Sequence, residues 1–324
     1  MKKLLRTIVT AVSLAAMAGA ATAAEKMTYL FPAPDFLPAF APFKIAMAKG
    51  YYTDAGLDVT FQVGKGGADV AKQVGVGNAE LGGGIGDTAI IVRANGLPIR
   101  GVAVLGAKAL TQIYWRKDAG VNSLADLKGK SVGVLSFQDT TYYNLLAALA
   151  SVGLTKNDVD IQAVGPAGII QLMISGDTQA MSGTVEWAGA VRAAGVDVQM
   201  LPINDIFPAM AQAIIASDTM IAEKPEMVKA FVQATIKGYV DVINDPEQAA
   251  RDYVAAVPQH AGKEKVMEAI MRGYIDLVYG TDTATFGMFD ETRMKAVQDF
   301  YLKNDIVREA VPIADTYTNQ FVAR

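Results

Sequence analysis

From Met27 to about Ser217, short apolar runs of strand length alternate with segments of helical periodicity, and beyond Ser217 the strand-like runs stop. Strands joined by crossover helices give this texture, so the fold class is α/β. Met27–Phe31, Leu57–Val63, Ile99–Leu105, Ser131–Leu135 and Val159–Val164 read as strands. Between them, Pro42–Lys49, Asp69–Val76, Thr88–Ala94, Thr141–Ser151 and Gly168–Ser175 read as helices. In the tail, a helix opens at Pro225, a residue favoured in the first turn, with Val228, Phe231, Val232, Tyr239, Val242 and Ile243 on one stripe. Asp245-Pro246 starts a second helix, and Asp290–Lys303 supplies another.

No Pro-rich or low-complexity linker divides the chain near its middle. The economical organisation is therefore two interleaved lobes rather than two consecutive domains. The chain is expected to leave lobe 1 near Leu110–Trp115, build lobe 2, and return near Ala211–Ala216. Residues 24–113 and 214–324 would form lobe 1, and residues 114–213 lobe 2. Two crossing strands make a hinge of the kind that closes on ligands.

The amino-terminal residues pair Lys2, Lys3 and Arg6 with an apolar run from Thr7 to Ala20, followed by Ala21-Thr22-Ala23. This pattern predicts a secretory signal peptide over residues 1–23, too short and too diluted by Thr, Ser and Gly for a membrane anchor. Its removal leaves 26 basic against 33 acidic residues, a formal −7, which argues against nucleic acid and anionic lipid as partners. With no cysteine, an exported chain has neither disulfides nor a thiol for a lipid anchor, so its stability must come from core burial. The expected location is the periplasm, without stable membrane insertion.

Six stretches carry a family resemblance. Residues 46–59 (AMAKGYYTDAGLDV) are similar to an "A-x-x-x-G-(Y/F)-(F/Y)-x-x-x-G-L-x-V" opening, and residues 123–134 (SLADLKGKSVGV) to "S-L-x-D-L-K-G-K-x-V-x-V". Residues 82–89, 153–159, 184–187 and 224–231 (KPEMVKAF) complete the ordered set. Together they resemble the periplasmic solute-binding proteins of ABC importers that take nitrate, sulfonates, taurine and the thiamine-precursor hydroxymethylpyrimidine. The resemblance implies the type II periplasmic-binding-protein fold: two lobes joined by a two-strand hinge, with the carboxyl-terminal helices on the first lobe. It also implies an ABC permease and its ATPase as partners and a small molecule as ligand, with no cofactor and no metal.

Ligands in open α/β sheets sit at the carboxyl ends of strands, and four loops lie there. The stiff Pro-rich loop after the first strand offers Asp35 and Phe36, unless Phe36 is tucked into the core. Gly82–Thr88 reads as a Gly-rich turn running into a helix, offering Gly86 and Thr88 amides and Asp87, the last more naturally a helix cap. Ser136–Thr141 is its counterpart in lobe 2, with Gln138, Asp139, Thr140 and Thr141 as candidates. Glu186 and Trp187 follow the expected strand Ala180–Gly183, and the resemblance puts cleft side chains there. Tyr114 lies by the expected hinge and serves either the cleft or hinge packing.

An enzyme is the main rival. The resemblance reaches a eukaryotic relative that makes the pyrimidine itself from a sacrificed histidine in a cysteine-rich setting, whereas this chain has no cysteine and one histidine, His260. Nucleophile-elbow, zinc-cluster and phosphate-loop motifs are absent from the sequence. No catalytic residue is therefore expected. The four loops carry Asp35, Asp87, Asp139 and Glu186 without Lys or Arg. A buried anion beside unpaired carboxylates is costly, which favours a pyrimidine-like nitrogen heterocycle over a sulfonate, nitrate or aromatic acid.

Overall fold

The computed structural model describes residues 23–322, so the expected signal peptide, but for Ala23, lies outside the described residues. Among the described residues, ten strands form two five-stranded sheets: β1 (Glu25–Phe31), β2 (Leu57–Val63), β3 (Leu81–Ile85), β4 (Ile99–Val104), β5 (Gln112–Arg116), β6 (Ser131–Val134), β7 (Asp160–Ala163), β8 (Ala180–Gly183), β9 (Val198–Leu201) and β10 (Gln212–Ser217). The helices that cover them are α1 (Ala41–Ala48), α2 (Tyr51–Asp54), α3 (Gly67–Gly75), α4 (Thr88–Arg93), α5 (Thr140–Ala150), α6 (Gly165–Ser175) and α7 (Val185–Ala193). After β10 come α8 (Asp218–Glu223), α9 (Pro225–Asn244), α10 (Pro246–Ala256), α11 (Glu264–Tyr274) and α12 (Glu291–Lys303).

The sheet orders are β2-β1-β3-β10-β4 and β7-β6-β8-β5-β9, one plan used twice. In each sheet the first three strands in that order run parallel, as crossover helices require. The fourth place is taken by the strand that comes straight from the other sheet, and it runs antiparallel. Thus β5 follows β4 directly into lobe 2, and β10 follows β9 back into lobe 1, giving the two-strand crossing expected from the sequence.

Lobe 1 is centred on an aromatic cluster. Tyr29 and Phe31 of β1 meet Phe43 of α1, and Phe231 of α9 stacks between Tyr29 and Tyr52 with ring centroids 5.0 Å away on both sides. Val228, Phe231, Val232, Tyr239 and Val242 of the α9 stripe are buried, and Ile243 is half-buried at its end. Each such side chain contributes about 1.5–3 kcal/mol by leaving water, so this face fixes the tail helix on lobe 1.

The sequence reading of Gly82–Thr88 as one long turn is corrected: Gly82, Gly83 and Gly84 lie within β3, and only Gly86 and Asp87 form the turn. A strand of glycines has poor intrinsic propensity, but here close packing overrides it. A Cβ on Gly82 would sit 2.3 Å from a Val70 methyl carbon of α3, and one on Gly84 would sit 2.6 Å from the Thr88 hydroxyl. The bare backbone lets α3 lie directly on the sheet.

Candidate functional site

The carboxyl ends of β1 and β3 from lobe 1 face those of β6 and β8 from lobe 2, and a cavity lies between them. Lobe 1 contributes Pro32, Ala33, Leu37, Ala39, Phe40, Gly84 and Ile85; lobe 2 contributes Leu135, Asp139, Thr141, Thr184, Glu186 and Trp187. Leu110 and Gln212, at the two crossings, close one side. The enclosed space is small, about 40 Å³. Its lining holds two carboxyls and no Lys, Arg or His.

Lobe 2 supplies most of the polar chemistry. Glu186, in the first turn of α7, is buried and takes a 2.5 Å hydrogen bond on Oε2 from the hydroxyl of Tyr274, at the end of α11. Burial raises its carboxyl above the ordinary range, opposed by the Tyr274 bond and the nearby Thr184 hydroxyl. Its Oε1 has no donor, and neither the Trp187 Nε1 nor the Gln212 Nε2 donor has an acceptor. All three side chains are buried and line this one cavity. Buried polar atoms without partners cost about 1–3 kcal/mol each, so their convergence calls for an explanation.

Asp139 is the amino-terminal cap of α5: Oδ1 accepts the Thr141 amide at 2.8 Å. Its Oδ2 reaches across the cleft to the Gly67 amide of α3 at 3.3 Å. Burial raises the carboxyl, while Thr141 and the Gly67 amide act in the opposite direction. Around it the lobes touch along a seam, with the Ala68 amide donating to the Gln138 carbonyl at 2.9 Å and the Ser136 hydroxyl to the Lys65 carbonyl at 3.1 Å. Gly66 has φ +108°, and a Cβ there would lie 2.8 Å from the Asp139 backbone, so the approach requires glycine.

Of the residues singled out from sequence, Asp139, Thr141, Glu186 and Trp187 come together on the cavity wall. Thr140 opens α5 beside them. Gln138 sits on the seam with its side chain exposed. Asp35 pairs with Lys44, away from the cavity. Phe36 turns its ring outward, neither in the core nor in the cavity, while its carbonyl accepts hydrogen bonds from Tyr253 (2.5 Å) and His260 (2.7 Å). The Gly86 amide is taken by the Ala211 carbonyl at 2.9 Å, and the Thr88 hydroxyl accepts the Ile85 amide at 2.9 Å. Tyr114 is buried in the lobe 2 core.

Asp87 stands at the cap position of α4 but makes no cap bond, which corrects the capping expectation. Its buried carboxyl instead accepts from Tyr301 of α12, whose hydroxyl is also 3.2 Å from Asn144 of α5. Burial lifts the Asp87 carboxyl to about 6, against the Tyr301 hydrogen bond and the charge of Arg293. Thr184 lies in the 184–187 stretch where the resemblance puts cleft side chains, whereas Gln212 and the apolar wall of Leu37 and Phe40 were not anticipated from sequence. Gln212 did carry a signal, as a lone amide in the apolar run Ala209–Ala216. Tyr274 carried none, because nothing local shows which tail residue crosses to lobe 2.

On the far side of the crossings a larger open hollow, about 600 Å³, is lined by residues including Tyr279, Phe286, Met288 and Arg293. Its arginine is already engaged: the guanidinium donates to the carbonyls of Ala107, Pro208 and Ala209, on both crossings. Among the described residues no acid or histidine cluster could hold a metal ion, and no helix is long and apolar enough to cross a membrane.

Comparison with known proteins agrees with this architecture. The chain is 25% identical over 288 residues to the riboflavin-binding protein RibY of Chloroflexus aurantiacus, covering 87% of this chain and 82% of that protein. It is 26% identical over 230 residues to the 4-amino-5-hydroxymethyl-2-methylpyrimidine phosphate synthase of Schizosaccharomyces pombe, covering 67% and 66% of the two chains. Its fold matches that of the alkanesulfonate-binding protein SsuA from Xanthomonas axonopodis pv. citri, with TM-score 0.69, 15% identity, and coverage of 91% and 98%. The two-lobed fold is therefore that of periplasmic binding proteins. A family model described as NMT1/THI5 like matches residues 37–249, more than half of the sequence, and the chain belongs to that family.

Proposed function

We propose that the chain is the solute receptor of an ABC importer and that it takes a flat nitrogen heterocycle, without net negative charge, between its lobes. The observation that carries this reading is the cavity wall itself. Two unpartnered donors, Trp187 Nε1 and Gln212 Nε2, and an unpartnered carboxyl acceptor, Glu186 Oε1, face one apolar slot that contains no basic group, beside the unpartnered hydroxyls of Thr141 and Thr184. A ring presenting both ring nitrogens and exocyclic amino or carbonyl groups satisfies all three, and Leu37, Phe40 and Trp187 cover its faces. Pyrimidines of the thiamine-precursor type and the flavin ring system both have this chemistry. The similarity to RibY supports the second, and the similarity to the pyrimidine synthase supports the first.

In this reading the lobes divide within the crossings, residues 105–111 and 202–211, a few residues before the boundaries at 113 and 213 expected from sequence. Solute enters when the seam between Lys65–Ala68 and Ser136–Asp139 parts, and its contacts with both walls favour closure. The solute shifts that equilibrium only by its extra affinity for the closed form. The closed receptor then docks on a permease whose ATPase drives transport, and the chain itself catalyses nothing. Export to the periplasm by residues 1–23 belongs to the same proposal.

A second reading, capture of an organic anion, is favoured by one observation: the amino termini of α3 and α5 meet across the cleft. Thermal-shift measurement with riboflavin, hydroxymethylpyrimidine, methanesulfonate and nitrate separates the two. A true ligand at 100 times its dissociation constant adds about 2.7 kcal/mol of stability. Response to a heterocycle and none to the anions is expected; response to the anions alone overturns the heterocycle reading.

A further inference from the structure

Two helix amino termini from opposite lobes converge on one buried point, and the point is occupied by a side chain of the protein. Asp139 is 3% exposed, with Oδ1 on the Thr141 amide of α5 and Oδ2 on the Gly67 amide of α3. Helices of eleven and nine residues thus direct their positive ends at a single carboxylate. The same carboxyl lines the solute cavity, where Trp187 Nε1 and Gln212 Nε2 wait as buried donors without acceptors. Two kinds of group that hold an anion are therefore assembled around this cavity, free donors and helix amides, beside the seam where the lobes touch. The negative charge they require is already covalently present.

We propose that Asp139 is a specificity-determining residue: its carboxylate stands in for a solute anion between the two helix termini, so that the receptor rejects anionic solutes and accepts rings without negative charge. A sulfonate or nitrate entering the cavity would be buried beside Asp139 with no Lys, Arg or His in the lining to balance the second charge. It would also compete for the amides of Gly67 and Thr141, which Asp139 holds intramolecularly and without loss of translational freedom. A neutral ring meets neither obstacle, since it needs only Glu186, Trp187 and Gln212. The substrate class assigned here rests on the receptor reading above. The exchange of a protein anion for a solute anion is separable from it by experiment.

The test compares the full chain with Asp139→Ser and Asp139→Asn by titration calorimetry, using methanesulfonate, nitrate and riboflavin as probes. Serine keeps a side-chain oxygen able to cap α5, and asparagine changes charge at nearly constant shape, so at least one variant should retain the fold. The expected result is undetectable anion binding by the parent chain, a gain of at least tenfold in methanesulfonate or nitrate affinity for Asp139→Ser, and a smaller gain for Asp139→Asn. Equal anion affinities in the parent and both variants, or tighter anion binding by the parent, would overturn the proposal. Anion binding gained by Asp139→Ser while the parent ignores heterocycles would uphold this assignment and sink the heterocycle reading. Riboflavin binding by the parent, with no anion gain in either variant, would do the reverse.

Discussion

The two walls of the cleft are built from the same sheet plan but differ in chemistry. Lobe 1 offers Pro32, Ala33, Leu37, Ala39, Phe40 and Ile85, an apolar face backed by the aromatic cluster of Tyr29, Phe31 and Phe43. Lobe 2 offers Asp139, Thr141, Thr184, Glu186 and Trp187. The buried acids follow the same division: Asp87 of lobe 1 is turned to Tyr301 behind the cleft, whereas Asp139 and Glu186 of lobe 2 face the cavity. In the proposed receptor, one wall serves as a platform and the other as a reader.

The contrast is open to attack at several points. Glu186→Ala should lower the affinity for the heterocycle probe at least a hundredfold, about 3 kcal/mol, since it removes an unpartnered carboxyl acceptor and strands the Tyr274 hydroxyl. Leu37→Ala on the platform should cost only a few-fold in the same calorimetric titration. Equal losses would abolish the distinction between the walls.

Asp87 tests whether the lobe 1 acid serves the fold rather than the solute. Its folded value of about 6 exceeds the ordinary 3.8, so the native state holds a proton that the unfolded chain releases. Its contribution is complete below pH 3.8 and is lost as pH rises through 6, by roughly 2–3 kcal/mol. Denaturant melts from pH 4 to 6.5 should therefore fall less for Asp87→Asn than for the parent chain, while solute affinity at pH 7 stays the same. A pH profile unchanged by the substitution would remove this role from Asp87.

Gly82→Ala addresses the platform's packing. Its new methyl would overlap Val70, and overpacking of this sort costs about 1–3 kcal/mol, read as a lower Tm in calorimetry. A loss between those of Glu186→Ala and Leu37→Ala belongs to Trp187→Phe, which keeps an aromatic ring and removes one donor. About a tenfold weakening of solute binding is expected, with a change in Tm too small to account for it.

What could be read from the sequence divides along the same line as local and distant causes. Strands such as Leu57–Val63 and Ala180–Gly183 are visible because alternation and apolar runs are local properties. The lobe crossings follow from the missing linker, and Asp139, Thr141, Glu186 and Trp187 are legible because they stand just beyond strand ends. The glycine strand β3 is misread as a turn because its reason, the pressure of Val70 and Thr88 on the backbone, comes from α3 and α4. Asp35 is drawn away by Lys44, nine residues on. Tyr274 and Tyr301 enter from tail helices whose docking no local pattern encodes.

The guanidinium of Arg293 grips carbonyls on both connectors between the lobes, Ala107 on one and Pro208 with Ala209 on the other. Hydrogen bonds from a charged donor are worth about 1.5–3 kcal/mol each, so the connectors cannot shift independently without breaking them. They behave as a single axle. In the proposed receptor, independent twisting or sliding of the lobes would break those bonds, whereas the rotation that parts Gly66 from Asp139 would not require it.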